Sequence, residues 1–494
     1  MTEINDKTHP GRDLKDRRTP RKGPLIGIGA VLVILTNAVI FVLPPLLPII
    51  QAQYGLATVS ETTWLYTALT LAGGAGFILL PRLADVYGDR NASVIASAVL
   101  TTGALVPALG DSYPALLVGC ALMGFGGAAQ LLPLGFLRRN LAGNGIRVGV
   151  AVLVIATGIG IVVGMIGGGL VVENLSLGSL FWILTAAFAM TTLVSYTVIP
   201  HTPPAEPSGR IGVLGTVWMV AWVAMILLAL TQGLVWGDAA LIPLVAGVIG
   251  GAAWLRVERR SKSVVFDVAL LKSPFVTAAC VCIALFASVN AAFLLLLSTY
   301  SQVPPEALAP ADAYGLGLNA LQTGLLMLPF AVMFLVGSVV VDRPVSRGHG
   351  GTVLMVGAAI CAAGLAWLAL AHDQQWHYLV GAAFLGLGCS IGYAAGFTMV
   401  QLAVPEEKAG MAAGVAGTAM AVGFAVGTAL VSGVLSATVV QVPGTEINVA
   451  TENLYGTGYW ASSVLAVLVL ITVLVSRART ARRNRRSPIR ATAV

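Results

Sequence analysis

The chain has 494 residues, of which 57% are hydrophobic and only 10% charged, with a mean hydropathy of +0.89. A soluble domain carries about 25% charged residues, so this composition excludes a soluble surface and makes the bilayer the solvent. The formal net charge of +7 raises the question of nucleic acid, but the Lys and Arg are spaced between apolar runs and form no patch, which excludes that partner.

Residues 1–23 are polar and read as a disordered tail. The run from Pro24 to Ile50 is too long for a signal peptide and no small-residue cleavage site follows it, so it reads as a retained first span. A spanning helix needs about 20 apolar residues, because in hydrocarbon its backbone must satisfy its own hydrogen bonds. By that criterion fourteen spans are expected, with cores at 25–50, 63–81, 92–110, 114–136, 148–172, 179–199, 211–233, 239–256, 274–300, 320–341, 352–371, 377–401, 410–440 and 458–476. They group as a six-helix bundle at 24–200, a linker with two inserted helices at 201–262, a second six-helix bundle at 263–476 and a basic tail at 477–494. The five cysteines all fall in apolar runs and read as small packing residues.

The charges test this count. With alternating sides, all 28 Lys and Arg fall on one side, from Lys7–Lys22 in the first tail to Arg477–Arg490 in the last. The loops of the other side carry only acids: Glu61, Asp111, Glu173, Asp238, Glu306, Asp312, Asp373, Glu446 and Glu452. Cytoplasmic loops hold the excess of Lys and Arg, so an even number of spans is expected, with both tails cytoplasmic. The Arg-rich last tail is suited to anionic lipid.

The chain also resembles itself. The second span ends Pro81-Arg82-Leu83-Ala84-Asp85 and the tenth ends Val340-Val341-Asp342-Arg343. The fourth contains Leu122-Met123-Gly124-Phe125-Gly126, the twelfth Phe384-Leu385-Gly386-Leu387-Gly388. Gly160, Gly164 and Gly168 recur on the fifth, Gly423 and Gly427 on the thirteenth. Four-residue glycine spacing lets two helix backbones approach closely, either for packing or for sliding during transport. Offsets near 260 residues in matching order imply two halves in parallel repeat, with a substrate path between them at the midplane.

The run Pro81-Arg82-Leu83-Ala84-Asp85-Val86-Tyr87-Gly88-Asp89-Arg90 resembles a loop motif of the major facilitator superfamily, with Pro81 in place of its first Gly. Gly164-Met165-Ile166-Gly167-Gly168-Gly169-Leu170 is similar to the antiporter motif of that superfamily's fourteen-span drug/proton antiporter branch, with Met165 in place of Pro. The resemblance covers nearly the whole chain. It implies an all-α polytopic membrane fold of two six-helix bundles plus two central helices. It also implies a conformational latch around Asp85 and Arg90, to which Arg82, Asp342 and Arg343 are added by position. Two of the branch's usual residues are missing. Leu35 stands where an Asp is usual and Cys120 where an Arg is usual, both linked in the family to proton coupling.

Ionisable residues inside a membrane are costly and mark function, yet the middles of the spans contain no Lys, Arg, Asp or His. Glu61 and, second, Glu173 are the remaining coupling candidates, each at a span's outer end; the alternative for Glu61 is an ordinary helix-entry residue. Asn37 and Asn290, at equivalent places in the two halves, with Phe41, Trp64, Gln130, Phe293, Tyr300 and Tyr393, would suit a large apolar substrate with a few polar anchors. No GxxxxGK[ST], HExxH or GxSxG run and no metal-ligand spacing occurs, so neither an enzyme, a cofactor nor a metal is expected, with a proton as the possible coupling ion. The expected function is export of drugs or hydrophobic metabolites by a proton-coupled monomer in a bacterial cytoplasmic membrane. The alternatives are an uncoupled facilitator or lipid exporter, and a non-transporting protein that kept the fold.

Overall fold

The computed structural model describes residues 22–201, 213–258, 273–310, 313–404, 409–443 and 447–486. The polar tail before Lys22, Arg210, Arg259, Arg260, Lys262, Lys272, Asp312, Lys408, Glu446 and the end of the basic tail lie outside the described residues. The first bundle comprises α1 (Lys22–Gln53), α2 (Val59–Tyr87), α3 (Asp89–Leu109), α4 (Tyr113–Asn140), α5 (Asn144–Asn174) and α6 (Leu177–Val198). The inserted pair is α7 (Val213–Trp236) and α8 (Leu241–Glu258). The second bundle comprises α9 (Pro274–Ser301), α10 (Ala320–Val340), α11 (Gly350–Leu370), α12 (Gln375–Leu402), α13 (Ala409–Leu435) and α14 (Glu452–Arg486). Thirteen described helices are long and apolar enough to cross a membrane, and α7, with its apolar stretch Val217–Ile226, is the fourteenth rod. The expected spans are thus all present.

Three departures have physical causes. Pro133 supplies no N–H to Ala129 and crowds its carbonyl, so α4 tightens into a 3₁₀ turn at Ala128–Leu131. Pro329 interrupts α10 at Met327 in the same way. α14 continues to Arg486 rather than ending with the apolar run at 476, because Ala and Arg are strong helix formers and cations suit a helix C-terminus. The loop before α14 also folds a short antiparallel hairpin, Val439–Gln441 against Asn448–Ala450, with Val440 opposite Val449.

The packing repeats. In the first bundle α1 packs on α5, α2 and α3 on α4, and α3 on α6; in the second α9 packs on α13, α10 and α11 on α12, and α11 on α14. The bundles meet along two seams, α2 with α13 and α5 with α10. α7 lies across the first seam, touching both α2 and α13. Its partner α8 is tied back to it by the Trp254 indole N–H, which donates to the Gly215 carbonyl at 2.7 Å.

The spaced glycines serve the contacts inside each bundle. A Cβ on Gly160 would lie 2.6 Å from the Ile34 carbonyl oxygen, and one on Gly164 2.5 Å from that of Ala38. Gly168 faces Val42, while Gly423 and Gly427 rest on the backbone of Ala284 and Ser288. Gly169, one residue off that face, turns to the other bundle: its Cβ would stand 2.6 Å from the Leu321 nitrogen. Gly160, Gly164 and Gly168 thus lie against α1 within their own bundle, and Gly169 lies against α10 of the other.

Candidate substrate cavity

A cavity of about 350 Å³ lies between the bundles, lined from α1, α2, α4, α5, α9, α10, α12 and α13. Its lining positions sit near helix midpoints or towards the tail side, where α1 begins and α14 ends. Matching polar pairs enter from the two halves. Asn37 donates from Nδ2 to Gln130 Oε1 at 3.4 Å, tying α1 to α4, and Asn290 donates from Nδ2 to the Tyr393 hydroxyl at 3.4 Å, tying α9 to α12. Asn37 also donates to the Val33 carbonyl at 2.9 Å, which sets its rotamer. Asn290 Oδ1 and Gln130 Nε2 are buried without a hydrogen-bond partner. The cavity therefore presents one spare acceptor and one spare donor. The rest of the lining is apolar or weakly polar, including Phe41, Phe77, Thr157, Ser390 and Phe424, and no described lining residue is Asp, Glu, Lys, Arg or His.

Of the residues expected here, Asn37, Phe41, Gln130, Asn290 and Tyr393 line the cavity. Phe293 does not. It stacks on Phe330 with ring centroids 5.8 Å apart, and Phe330 in turn meets Phe41 at 6.4 Å, so these rings close the cavity on the side away from the tails. Tyr300 lies further out, in a buried cluster with Tyr314, His372, Tyr378 and Tyr455. Trp64 is half-buried in the first turns of α2 and does not reach the cavity. The reason is helical phase and depth, which a residue-type inventory does not resolve. The same inventory passes over Phe334, Phe397, Met420 and Phe424; Phe397 stands one turn after Tyr393, and Met420 and Phe424 share a helix face at four-residue spacing.

Two hydrogen bonds cross the halves beyond these rings. Pro48 cannot donate to the Pro44 carbonyl, and the Ser298 hydroxyl supplies that carbonyl's missing donor. Gln302 Nε2 donates to the Pro45 carbonyl at 2.8 Å. Further out, Asn448 of the hairpin donates from Nδ2 to the Ala57 carbonyl at 3.2 Å. Glu173, at the end of α5, accepts from the Leu321 N–H in the first turn of α10 at 3.0 Å. A carboxylate at a helix N-terminus meets unsatisfied N–H groups and the positive end of the dipole. Glu61 has a different place. It is exposed, its N–H donates to the Thr58 hydroxyl at 3.3 Å, and its Oε2 accepts from the Ala57 N–H at 3.0 Å. That is a helix cap, in agreement with the helix-entry alternative.

On the tail side, Arg139 of α4 meets Asp85, the expected latch residue, together with Asp89. Its Nη1 meets Asp85 at 3.5 Å and its Nη2 meets Asp89 at 2.6 Å. Asp89 has only 1% of its side chain exposed, against 41% for Asp85, so Asp89 is the anchored carboxylate. Gly88, with φ +86, makes the sharp turn that places Asp89 on the first turn of α3, a conformation that L side chains rarely adopt. The Arg90 guanidinium lies 4.0 Å over the Tyr196 ring of α6. Arg82 stands on the last turns of α2, half-buried. Arg343, across the repeat, is exposed and its carbonyl accepts from the Ser346 hydroxyl at 3.0 Å; the side chain of Asp342 lies outside the described part. Sequence reading missed Arg139 and Asp89. The available signal was Asp85 and Asp89 at four-residue spacing within a loop otherwise rich in Arg.

We expect Asn290→Leu to weaken binding of a hydrogen-bond-donating substrate by about tenfold while an apolar analogue of equal size is unaffected, since a lost hydrogen bond in a buried site costs about 1–3 kcal/mol. Titration of the purified protein by ligand-induced fluorescence checks it.

Two parallel six-helix bundles around an uncharged midplane cavity, closed on one side, define a transporter that works by alternating access. The Major Facilitator Superfamily profile matches residues 28–428, and the chain belongs to that superfamily. It is 24% identical to the "Multidrug resistance protein Stp" of Mycobacterium tuberculosis over 423 residues, covering 83% of this chain and 75% of the other. It is 25% identical to the "Tetracenomycin C resistance and export protein" of Streptomyces glaucescens (83% and 75% covered), and 27% to the "Puromycin resistance protein pur8" of Streptomyces alboniger (90% and 88%). Among solved structures, the POT family transporter PepTSo superposes with a TM-score of 0.63 at 15% identity, covering 95% of this chain and 99% of that one. The nucleoside transporter NupG superposes with 0.63 at 13% identity, covering 92% and 99%. The chain is a multi-pass membrane transporter and not an enzyme.

Proposed function

We propose that this chain exports neutral, largely apolar drugs or metabolites from a bacterial cytoplasm, acting as a monomer in the plasma membrane with both tails inside. The single observation that carries this is the cavity lining: largely apolar walls, two amide-centred anchors and, among the described residues, no Asp, Glu, Lys, Arg or His. Such a site favours a neutral substrate, because an unpaired charge there would lose its hydration without a counter-charge. The names of the relatives, drawn from drug resistance and antibiotic export, support the direction of transport. The sorting of all 28 Lys and Arg to one side supports the orientation. The glycine faces of α5 and α13 are occupied within the chain, which supports a monomer.

Coupling to protons is assigned to Glu173. In the present state, open towards the tails, its carboxylate holds α5 to α10 on the outer side. A contact that ties the two halves together on the outer side biases which side is open, so its loss favours the outward-open arrangement. In proteoliposomes, export is expected to follow an imposed pH gradient, and Glu173→Ala is expected to retain transport while losing that response. An equal response in wild type and Glu173→Ala would remove Glu173 from coupling. Transport by the wild type that ignores the gradient would favour the uncoupled facilitator, the reading to which the uncharged cavity also lends support.

A further inference from the structure

A second cavity, of about 410 Å³, opens inside the second bundle where the tail-side ends of α9, α11, α12 and α14 part. It shares no residue with the central cavity. Its floor is buried and apolar, formed by Ala279, Cys282, Leu354, Met399 and Val473. Small residues create the space: alanines on α9 and Gly351 at the start of α11. Gly348 takes φ +85 and carries the chain aside before α11 begins. Among the described residues, the polar side chains of the lining are Ser476 and Arg477. Arg477 is held in place, its Nη2 donating to the Thr352 hydroxyl at 2.7 Å. A Cβ on Gly351 would stand 3.2 Å from the guanidinium, so the cation lies flat against α11 at the mouth.

We propose that this cavity is a binding site for one anionic phospholipid, with an acyl chain in the cavity and the phosphate on Arg477. An apolar hollow of this size forfeits dispersion contacts when it is unfilled, and water gains little there because it needs two to four polar partners. The volume falls in the ordinary range of small-molecule sites, about 300–1,000 Å³. Among the described lining residues the mouth carries a cation and no acid, which favours an anion. Guanidinium matches phosphate through paired hydrogen bonds. The bilayer provides such an amphiphile at this depth, since the mouth lies where α9 begins at Pro274 and where the apolar run of α14 gives way to arginines at Arg477. A bound lipid would tie α14 to α9 and α11, away from the transport path.

The test is lipid retention by the full-length protein, purified in mild detergent and weighed by native mass spectrometry after incubation with phosphatidylglycerol or phosphatidylcholine. One phosphatidylglycerol per chain is expected to survive delipidation. Arg477→Gln is expected to lower its retention about fivefold, the worth of one Arg against an anionic lipid surface. Ala278→Phe, which fills the cavity from α9, is expected to abolish it. Equal retention of the two lipids, equal retention by wild type and Arg477→Gln, or displacement by inorganic phosphate alone would overturn the proposal. If Ala278→Phe does not fold, as judged by gel filtration, the lipid comparison and Arg477→Gln decide.

Discussion

Gly169→Val is expected to abolish transport while leaving a folded protein in the membrane. The added Cβ would stand 2.6 Å from the Leu321 nitrogen and 2.7 Å from its Cα, both backbone atoms that cannot move aside alone. The only relief is separation of α5 from α10, and that is the outward-open arrangement. Overpacking of this kind costs about 1–3 kcal/mol, which shifts a two-state equilibrium by roughly 5- to 150-fold. The trapped state should be visible as outer-side cysteine accessibility at positions such as Gln302, with substrate transport lost. Gly164→Val, four residues away from Gly168 on the same helix, should behave differently. It wedges α5 off α1 inside one bundle, against the Ala38 backbone, so the expected result is failure to accumulate in the membrane. Two glycines of one short motif thus separate packing from motion. Normal transport by Gly169→Val would show that the outer seam does not close in the cycle.

The second large effect is expected at Arg139. Its removal leaves Asp89, 1% exposed, without the cation 2.6 Å away. Truncating one member of a buried, hydrogen-bonded charge pair costs about 2–5 kcal/mol. Arg139 is itself 38% exposed, which places the expected loss for Arg139→Ala at the lower end of that range. Thermal unfolding in detergent checks it. Asp89→Asn should cost less, because it removes the buried charge and leaves the cation on Arg139, which is 38% exposed, to water, and the double variant Asp89→Asn with Arg139→Ala should be less damaged than Arg139→Ala alone. Asp85→Asn is expected to leave stability nearly unchanged, since that carboxylate is 41% exposed and 3.5 Å from Arg139. An effect of Asp85→Asn on transport without one on stability would mark it as the residue that changes partners between states. The cluster therefore divides its labour, with Asp89 fastening α3 to α4 through the shorter and more buried pair and Asp85 meeting the same Arg139 at the surface.

Glu61 and Glu173 show why acidic residues at span ends are hard to rank from sequence. Each is an isolated carboxylate at the outer end of a helix. Glu61 meets the N-terminus of its own helix, three residues from its cap, and this is a local event. Glu173 meets the N-terminus of α10, far along the chain in the other bundle. Only the second contact can report on the relative position of the halves.

Much of the architecture was legible in the chain itself. Span number, the inserted pair, the two-bundle repeat and the amide pair Asn37 and Asn290 follow from hydropathy, charge sorting and internal likeness. These are one-dimensional properties: the bilayer demands long apolar helices, and the loops must sort their cations. Tertiary structure decided what depends on helical rotation and depth. It put Phe293 and Tyr300 above the cavity rather than in it, and brought Gln130 to Asn37 and Tyr393 to Asn290. It joined Arg139 of α4 to Asp89 of α3, and turned Gly169 to the opposite bundle while Gly168 faced its own. In a chain this apolar nearly every helix face is hydrophobic, so the sequence carries little amphipathic signal to say which way a face points. That orientation is settled only when fourteen helices compete for the same contacts.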